Sequence, residues 1–90
     1  MEFEWDLAKA AANLKKHKVR FADPALSFED PRALSMPDPD AIGEARYILL
    51  AADPAGRVPI TVYTPRGRLT RIISSRKASP TEPLTYEVRP

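Results

Sequence analysis

The 90-residue sequence predicts an α+β fold: two N-terminal helices, then an antiparallel three- to four-stranded sheet, and a short C-terminal helix. Three observations support this prediction. Apolar residues recur at helical spacing near the N-terminus, three runs rich in aliphatic and aromatic residues follow in the second half, and short connectors containing Pro and Gly separate those runs. The length suits one domain, which we expect to span residues 1–90.

The first predicted element is a helix over residues 6–17, DLAKAAANLKKH. Asp6 is a candidate N-cap, and the alanines favour a helix. The apolar stripe at helical spacing comprises Leu7, Ala10, Ala11 and Leu14. A second, shorter helix is predicted over residues 21–30, with Asp23 as its cap and Pro24 in its first turn.

The segment at residues 32–41, RALSMPDPDA, is predicted to be extended or a loop, because Pro37 and Pro39 exclude a helix and disfavour a central strand. Its two carboxylates, Asp38 and Asp40, are of a type that binds metal ions. In a proline-rich segment, however, such residues are far more typical of turns. We therefore expect no metal site here.

Three strands are predicted next, at residues 45–52, 57–64 and 68–75. The connectors DPAG and TPRG each place Pro second and Gly fourth, which is typical of type I turns. The result is an antiparallel meander in which Pro59 begins a strand or lies at a sheet edge, since it has no N–H to donate. The final segment carries a capping box that starts at Ser79, which predicts the short C-terminal helix.

Regular alternation decides which face of the sheet each arginine of the last strand occupies. Arg71 would share a face with Ile73, and Arg76 would point to the opposite face. The two arginines can serve one site only if the chain kinks near residues 74–75 or if the strand ends there.

Composition excludes several classes of function. The chain has no cysteine and one histidine, so disulfide frameworks and zinc motifs are excluded, and its three glycines form no phosphate-binding loop. No cofactor is expected. No run is long enough to span a membrane and nothing resembles a signal peptide, so we expect a cytosolic protein.

Positive charge is concentrated in two clusters, although the net charge is only +2. The clusters comprise Lys9, Lys15, Lys16, Lys18 and Arg20 around His17, and Arg66, Arg68, Arg71, Arg76 and Lys77 near the last strand. Either the two clusters fold into one positive face or they are separate solvated charges, and the sequence leaves both possibilities open.

Cationic side chains are suited to cleaving RNA without a metal ion, because the ribose 2′-OH is an internal nucleophile. The protein must move two protons and stabilise charge on the phosphate. The suitable residues are Glu4, Lys16, His17, Arg71, Arg76 and Lys77. His17 has the alternative role of a cation at a helix C-terminus, and Trp5 is either a core residue or a platform on which a base stacks.

Several short motifs, in order along nearly the whole chain, resemble those of the BrnT toxin family. They are EWD at 4–6, Lys9, Asn13, KH at 16–17, Val19, Phe21, GEARY at 43–47, RIISSRKA at 71–78, Glu82 and YE at 86–87. The resemblance implies a RelE-like fold and a metal-independent endoribonuclease toxin that inhibits translation. It also implies a ribbon-helix-helix antitoxin, BrnA, which neutralises the toxin and binds the operator DNA.

The resemblance further implies which residues form the site. We assign four residues to catalysis: Arg71, Arg76, His17 and Glu4. We assign five to RNA binding: Trp5, Lys16, Arg46 and Lys77 by the resemblance, and Arg68 by its place in the second basic cluster.

The chain departs from the family pattern at two places. Lys18 follows the histidine where glycine is usual, so we expect the helix to lack its left-handed cap. The final segment, SPTEPLTYEVRP, has one base where the family has an Arg-rich helix, which weakens phosphate binding. Two alternative functions therefore stay open: a weak or inactive homologue that acts mainly as an antitoxin-binding partner in operon repression, and a small nucleic-acid-binding protein without an antitoxin.

Overall fold

The computed structural model describes residues 1–78, which form one mixed five-stranded sheet and two helices. Along the chain the elements are β1 (Glu2–Glu4), α1 (Leu7–His17), α2 (Ala22–Ser27), β2 (Leu34–Pro37), β3 (Tyr47–Leu50), β4 (Pro59–Arg66) and β5 (Leu69–Lys77). Across the sheet the strand order is β1-β5-β4-β3-β2, with β1 parallel to β5 and the other pairs antiparallel. The α+β class is confirmed, but the prediction of a purely antiparallel sheet of three to four strands is wrong.

The two outer strands are the ones that the sequence did not predict. β1 has three residues and is held by pairing with residues 69–71 of β5, a contact between distant parts of the chain that no local pattern reports. β2 ends at Pro37, and an edge strand tolerates a residue without an N–H. The three other strands are confirmed with different ends, and Pro59 begins β4 as expected. The predicted C-terminal helix lies outside the described residues.

The hairpin between β4 and β5 is tighter than the predicted TPRG turn. Arg66 pairs with Leu69, so only two residues form the loop. Gly67, at the first loop position, has a φ of 59°. A type II′ hairpin turn needs a positive φ at this position and therefore has glycine there. The DPAG connector does form a turn, in which the Gly56 N–H donates to the Asp53 carbonyl at 3.0 Å.

α1 begins as predicted and ends differently. The Asp6 carboxylate accepts the Lys9 N–H at 3.0 Å, and this bond lowers the pKa of Asp6. At the other end, Lys18 adopts the left-handed conformation, with φ 61° and ψ 29°, and its N–H donates to the Leu14 carbonyl at 2.9 Å. The left-handed cap therefore forms without glycine, contrary to the expectation.

α2 begins at Ala22, and its N-cap residue, Phe21, makes no side-chain cap bond. Asp23 lies inside the first turn, so the prediction that it caps the helix is wrong. Its carboxylate instead binds Arg57 at 3.0 Å, and Arg57 also binds Asp53 at 2.9 Å. The two carboxylates raise the pKa of Arg57 and join α2 to the turn before β4.

The helices cover one face of the sheet and form the core with it. The buried apolar residues are Val19, Phe21, Leu49, Leu50, Ala51 and Ile72. Phe28, just after α2, packs against Phe3 of β1 and Tyr63 of β4, with ring centroids 5.0 and 4.9 Å apart. Neither of the two described helices is long and apolar enough to cross a membrane.

Candidate functional site

A β-bulge interrupts the pairing of β4 with β5. Tyr63 opposes Ile72 and Val62 opposes Ser74, so Ile73 is an extra residue without a partner in β4. Beyond a bulge, the alternation of side chains is shifted by one residue. The extra residue is Ile73, one residue before the kink near residues 74–75 that was expected if Arg71 and Arg76 serve one site.

The bulge puts both arginines of β5 on the same face of the sheet. Arg71 opposes Thr64, and Arg76 opposes Ile60. Opposed residues share a face, and Thr64 and Ile60 are separated by an even number of positions on β4. The condition for a shared surface is therefore met. At about 3.3 Å per strand residue, the two arginine positions are roughly 13 Å apart.

The two faces of the sheet have different surroundings. The covered face packs against the helices and carries Thr61, Tyr63, Ile72 and Ser75. The open face is the opposite one and carries Ile48, Leu50, Ile60, Val62, Thr64, Arg71, Ser74 and Arg76, of which Leu50 and Thr64 are buried. The side chains of Ile48, Ile60 and Val62 are half-buried, so they remain accessible beside the arginines.

Arg71 has a fixed partner on the open face. Its Nε donates to Glu4 Oε1 at 3.3 Å, and the two side chains are 27% and 31% exposed. The parallel pairing of β1 with β5 places Glu4 directly opposite Arg71. A guanidinium has five N–H donors in a planar fork, so a carboxylate that orients it leaves donors for a phosphate.

Arg76 shares a cavity with the one histidine of the chain. The cavity has a volume of about 240 Å³, and its polar lining residues are His17, Asp38, Asp40, Ser74, Ser75 and Arg76. Its apolar lining comes from Ile48, Ile60 and Val62 of the open face. The end of α1 supplies the imidazole, and the connector between β2 and β3 supplies the two carboxylates. Acid–base and phosphate-binding groups thus meet around an apolar surface.

A buried asparagine fixes the end of α1 against β5. The Asn13 amide donates to the Ser75 carbonyl at 2.8 Å and to the Val19 carbonyl at 3.0 Å, and its oxygen accepts the Ser75 N–H at 3.0 Å. His17 follows one helical turn later, and Arg76 is next to Ser75. These bonds therefore fix His17 and Arg76 relative to one another.

In the sequence, Asn13 stands out only as a match to a family motif, which does not indicate this structural role. The available signal was local. Asparagine is a poor helix former, yet here it occupies the interior of a helix. A polar residue in such a position is typically retained because its side chain is bonded elsewhere, as it is here.

Two of the predicted RNA-binding residues lie away from the cavity. Trp5 packs edge-on against Phe21 on the helix side, with ring centroids 6.0 Å apart. Lys77 opposes Pro59, and both line a separate cavity that also contacts Arg57. Because Lys77 follows Arg76 in a strand, it points to the opposite face.

Three further predicted RNA-binding residues do not line the cavity. Lys16 is exposed in the last turn of α1, and Arg68 is exposed in the hairpin loop. Arg46 is half-buried directly before β3. Since Tyr47 opposes Tyr63 on the covered face, alternation places Arg46 toward the open face. Within residues 1–78, the Arg46 Nε is buried without a hydrogen-bond partner, and no group of three or more acidic or histidine side chains could hold a metal ion.

Comparison with known proteins agrees with the motif resemblance. Residues 5–82 match the family model described as ribonuclease toxin, BrnT, of type II toxin-antitoxin system. Among solved structures, the ribonuclease toxin BrnT of Brucella abortus, crystallised at 1.1 Å resolution, is similar with a TM-score of 0.70 and 24% sequence identity. That match covers 88% of this chain and 97% of the other, and it supports the fold. No curated protein sequence matches this chain significantly.

Proposed function

We propose that this chain, which belongs to the BrnT family of ribonuclease toxins of type II toxin–antitoxin systems, is an endoribonuclease that cleaves RNA without a metal ion. The observation that supports this most directly is the cavity lined by both His17 and Arg76. Imidazole exchanges protons near neutral pH, and guanidinium binds phosphate oxygens in a matching geometry. The open face therefore offers both kinds of group at one place.

The proposed reaction is an attack of the ribose 2′-oxygen on the adjacent phosphorus, with loss of the 5′-oxygen of the next nucleotide. A base removes the 2′ proton and an acid protonates the leaving oxygen. His17 performs one of these transfers, while Arg76 binds the phosphate oxygens on which negative charge increases.

The ion pair of Glu4 and Arg71 has a separate role in this proposal. Glu4 of β1 binds the Arg71 guanidinium on the side of β5 that faces away from β4, whereas the cavity that contains Arg76 is lined by β3 and β4. Arg71 then binds a second phosphate of the same RNA strand and sets its register on the open face. Glu4 orients that guanidinium, instead of moving a proton as first assigned.

The family also suggests the partners of the chain. We infer that it is neutralised by a ribbon-helix-helix antitoxin of the BrnA kind and that it meets operator DNA only through this antitoxin. Released toxin would inhibit translation by degrading RNA in the cytoplasm. The family match supports a toxin–antitoxin pair in general, and the motif resemblance suggests the kind of antitoxin.

The test is cleavage of single-stranded RNA by the purified chain in the presence of EDTA. We expect cleavage by the wild type and a rate about 10²- to 10⁴-fold lower in His17→Ala, the range for loss of a general acid or base. Lys15→Ala is the matched control, because it removes an exposed cation from the same helical turn. Intact RNA after incubation with folded wild-type protein would contradict the proposal.

A second candidate function is that of a weak or inactive homologue that mainly binds the antitoxin in operon repression. The final segment at residues 79–90 favours it, since one base in twelve residues offers few phosphate contacts. Growth after induced expression separates the two functions. Arrest supports the nuclease, whereas unchanged growth with folded protein that still binds an antitoxin supports the binding partner.

A further inference from the structure

The cavity on the open face contains groups that the proposed cleavage step does not use. Besides His17 and Arg76, it has an aliphatic wall from β3 and β4 and the carboxylates of Asp38 and Asp40. Its volume of about 240 Å³ is below the roughly 300–1,000 Å³ of sites for drug-sized ligands. It therefore suits a single small ring system beside the reacting phosphate.

We propose that this cavity is a nucleobase-binding subsite that selects guanine through the Asp38 carboxylate. The inference rests on the proposed ribonuclease function, because it assigns the cavity to the base next to the cleaved phosphate. Proteins that bind single-stranded RNA contact the planes of unstacked bases and hydrogen-bond to their edges. Here Ile48, Ile60 and Val62 contact the plane, and Asp38 accepts hydrogen bonds from the edge.

Asp38 is better suited to this role than Asp40. Asp38 is half-buried, whereas Asp40 is exposed. Asp38 Oδ1 accepts the Asp40 N–H at 2.9 Å, and the Asp38 N–H donates to the Arg46 carbonyl at 2.9 Å. These bonds fix the carboxylate at the end of β2. Within residues 1–78, its Oδ2 has no hydrogen-bond partner and can accept from a base.

The chemistry of a carboxylate sets the order of preference among bases. A carboxylate accepts hydrogen bonds and donates none. Guanine presents two adjacent donors, N1–H and the N2 amino group, which match its two oxygens. Adenine and cytosine each present one amino group beside an acceptor nitrogen. Uracil presents one N–H between two carbonyl oxygens, which repel the carboxylate, so it is expected to bind most weakly.

Binding of nucleoside 3′-monophosphates to the folded chain, followed by NMR titration, tests the subsite without any need for cleavage. We expect guanosine 3′-monophosphate to bind about 5- to 150-fold more tightly than uridine 3′-monophosphate, as for one good bidentate contact. Asp38→Asn should remove most of this ratio. The variant keeps an oxygen that accepts the Asp40 N–H, so the turn is preserved. Glu29→Gln, which neutralises an exposed acid outside the cavity, is expected to leave the ratio unchanged.

Three outcomes would overturn the subsite: equal binding of both nucleotides, binding of neither, or an unchanged ratio in Asp38→Asn. Failure of the proposed ribonuclease function has a different signature, in which the wild-type chain binds the guanine nucleotide selectively yet leaves RNA intact. If the wild type does cleave, the same Asp38→Asn variant is expected to lose the preference for cleavage next to guanine.

Discussion

The covered and open faces of the sheet differ in the charged side chains that they carry. On the covered face, Thr61 and Ser75 are at most 1% exposed, and their hydroxyl groups hydrogen-bond each other at 3.0 Å. On the open face, Arg71 is half-buried and ion-paired with Glu4, and Arg76 is exposed. The same two strands supply both faces, so the difference comes from what packs on each face.

The energetic cost of burial accounts for this partition of neutral and charged groups. A buried hydroxyl costs little once it is hydrogen-bonded, whereas a buried charge costs several kcal/mol even with a partner. The part of the covered face beneath the helices therefore carries neutral side chains, and Lys77 lies on this face only at its exposed end. The guanidinium groups of Arg71 and Arg76 lie on the open face. The bulge at Ile73 maintains this arrangement, because regular pairing would turn Arg76 toward the helices while Arg71 stayed outside.

The largest expected effect comes from comparing Arg76→Ala with Lys77→Ala. These adjacent residues carry the same charge on opposite faces of the sheet. We expect Arg76→Ala to lower the rate of RNA cleavage about 10²- to 10³-fold, as for loss of a group that stabilises charge in the transition state. Lys77→Ala removes only long-range attraction, so its loss is expected to stay within about tenfold. Single-turnover kinetics on one RNA measures the cleavage rates of both variants. Equal losses would show that the net charge of the protein, and not the face of the sheet, determines the cleavage rate.

The next effect tests the covered face. Asn13→Ala removes three hydrogen bonds and leaves the Ser75 N–H and carbonyl without their side-chain partner. We expect the free energy of unfolding to fall by about 3 kcal/mol, since each buried polar group left unpaired costs roughly 1–3 kcal/mol. Urea denaturation measures the change. Lys16→Ala, on the exposed side of the same helix, is the control and should stay within about 0.5 kcal/mol. A similar small change in Asn13→Ala would show that the three bonds contribute little.

The smallest effect concerns the C-terminal end of α1. Lys18 holds a φ of 61°, a conformation that costs a residue with a side chain about 1–2 kcal/mol. Glycine avoids this cost but loses more entropy on folding, so Lys18→Gly is expected to raise the free energy of unfolding by about 0.5–1 kcal/mol. Lys15→Gly, inside the helix, should instead lower it by about 1 kcal/mol. If both variants lowered the melting temperature alike, Lys18 would not be strained.

Elements with local determinants could be predicted from the sequence. The apolar spacing and the acidic N-cap predicted α1 to its last residue, and aliphatic runs between Pro- and Gly-containing connectors predicted β3, β4 and β5. β1 could not be predicted this way, because its three residues form a strand only beside residues 69–71. The sequence predicted which types of residue form the candidate site, but not which individual residues line it. Trp5 and Lys77 match the family motifs, yet they lie away from the cavity that holds His17 and Arg76.

By itself, the sequence determined the α+β class, the first helix and the residue types suited to chemistry without a metal. These follow from the spacing of apolar residues and from side-chain chemistry, which are local properties. The tertiary structure decided which residues meet. The unpaired Ile73 brings Arg71 and Arg76 to one face, and Asn13 holds His17 beside Arg76. Both depend on contacts between segments far apart in the chain, and a shift of one residue in such a register exchanges the two faces.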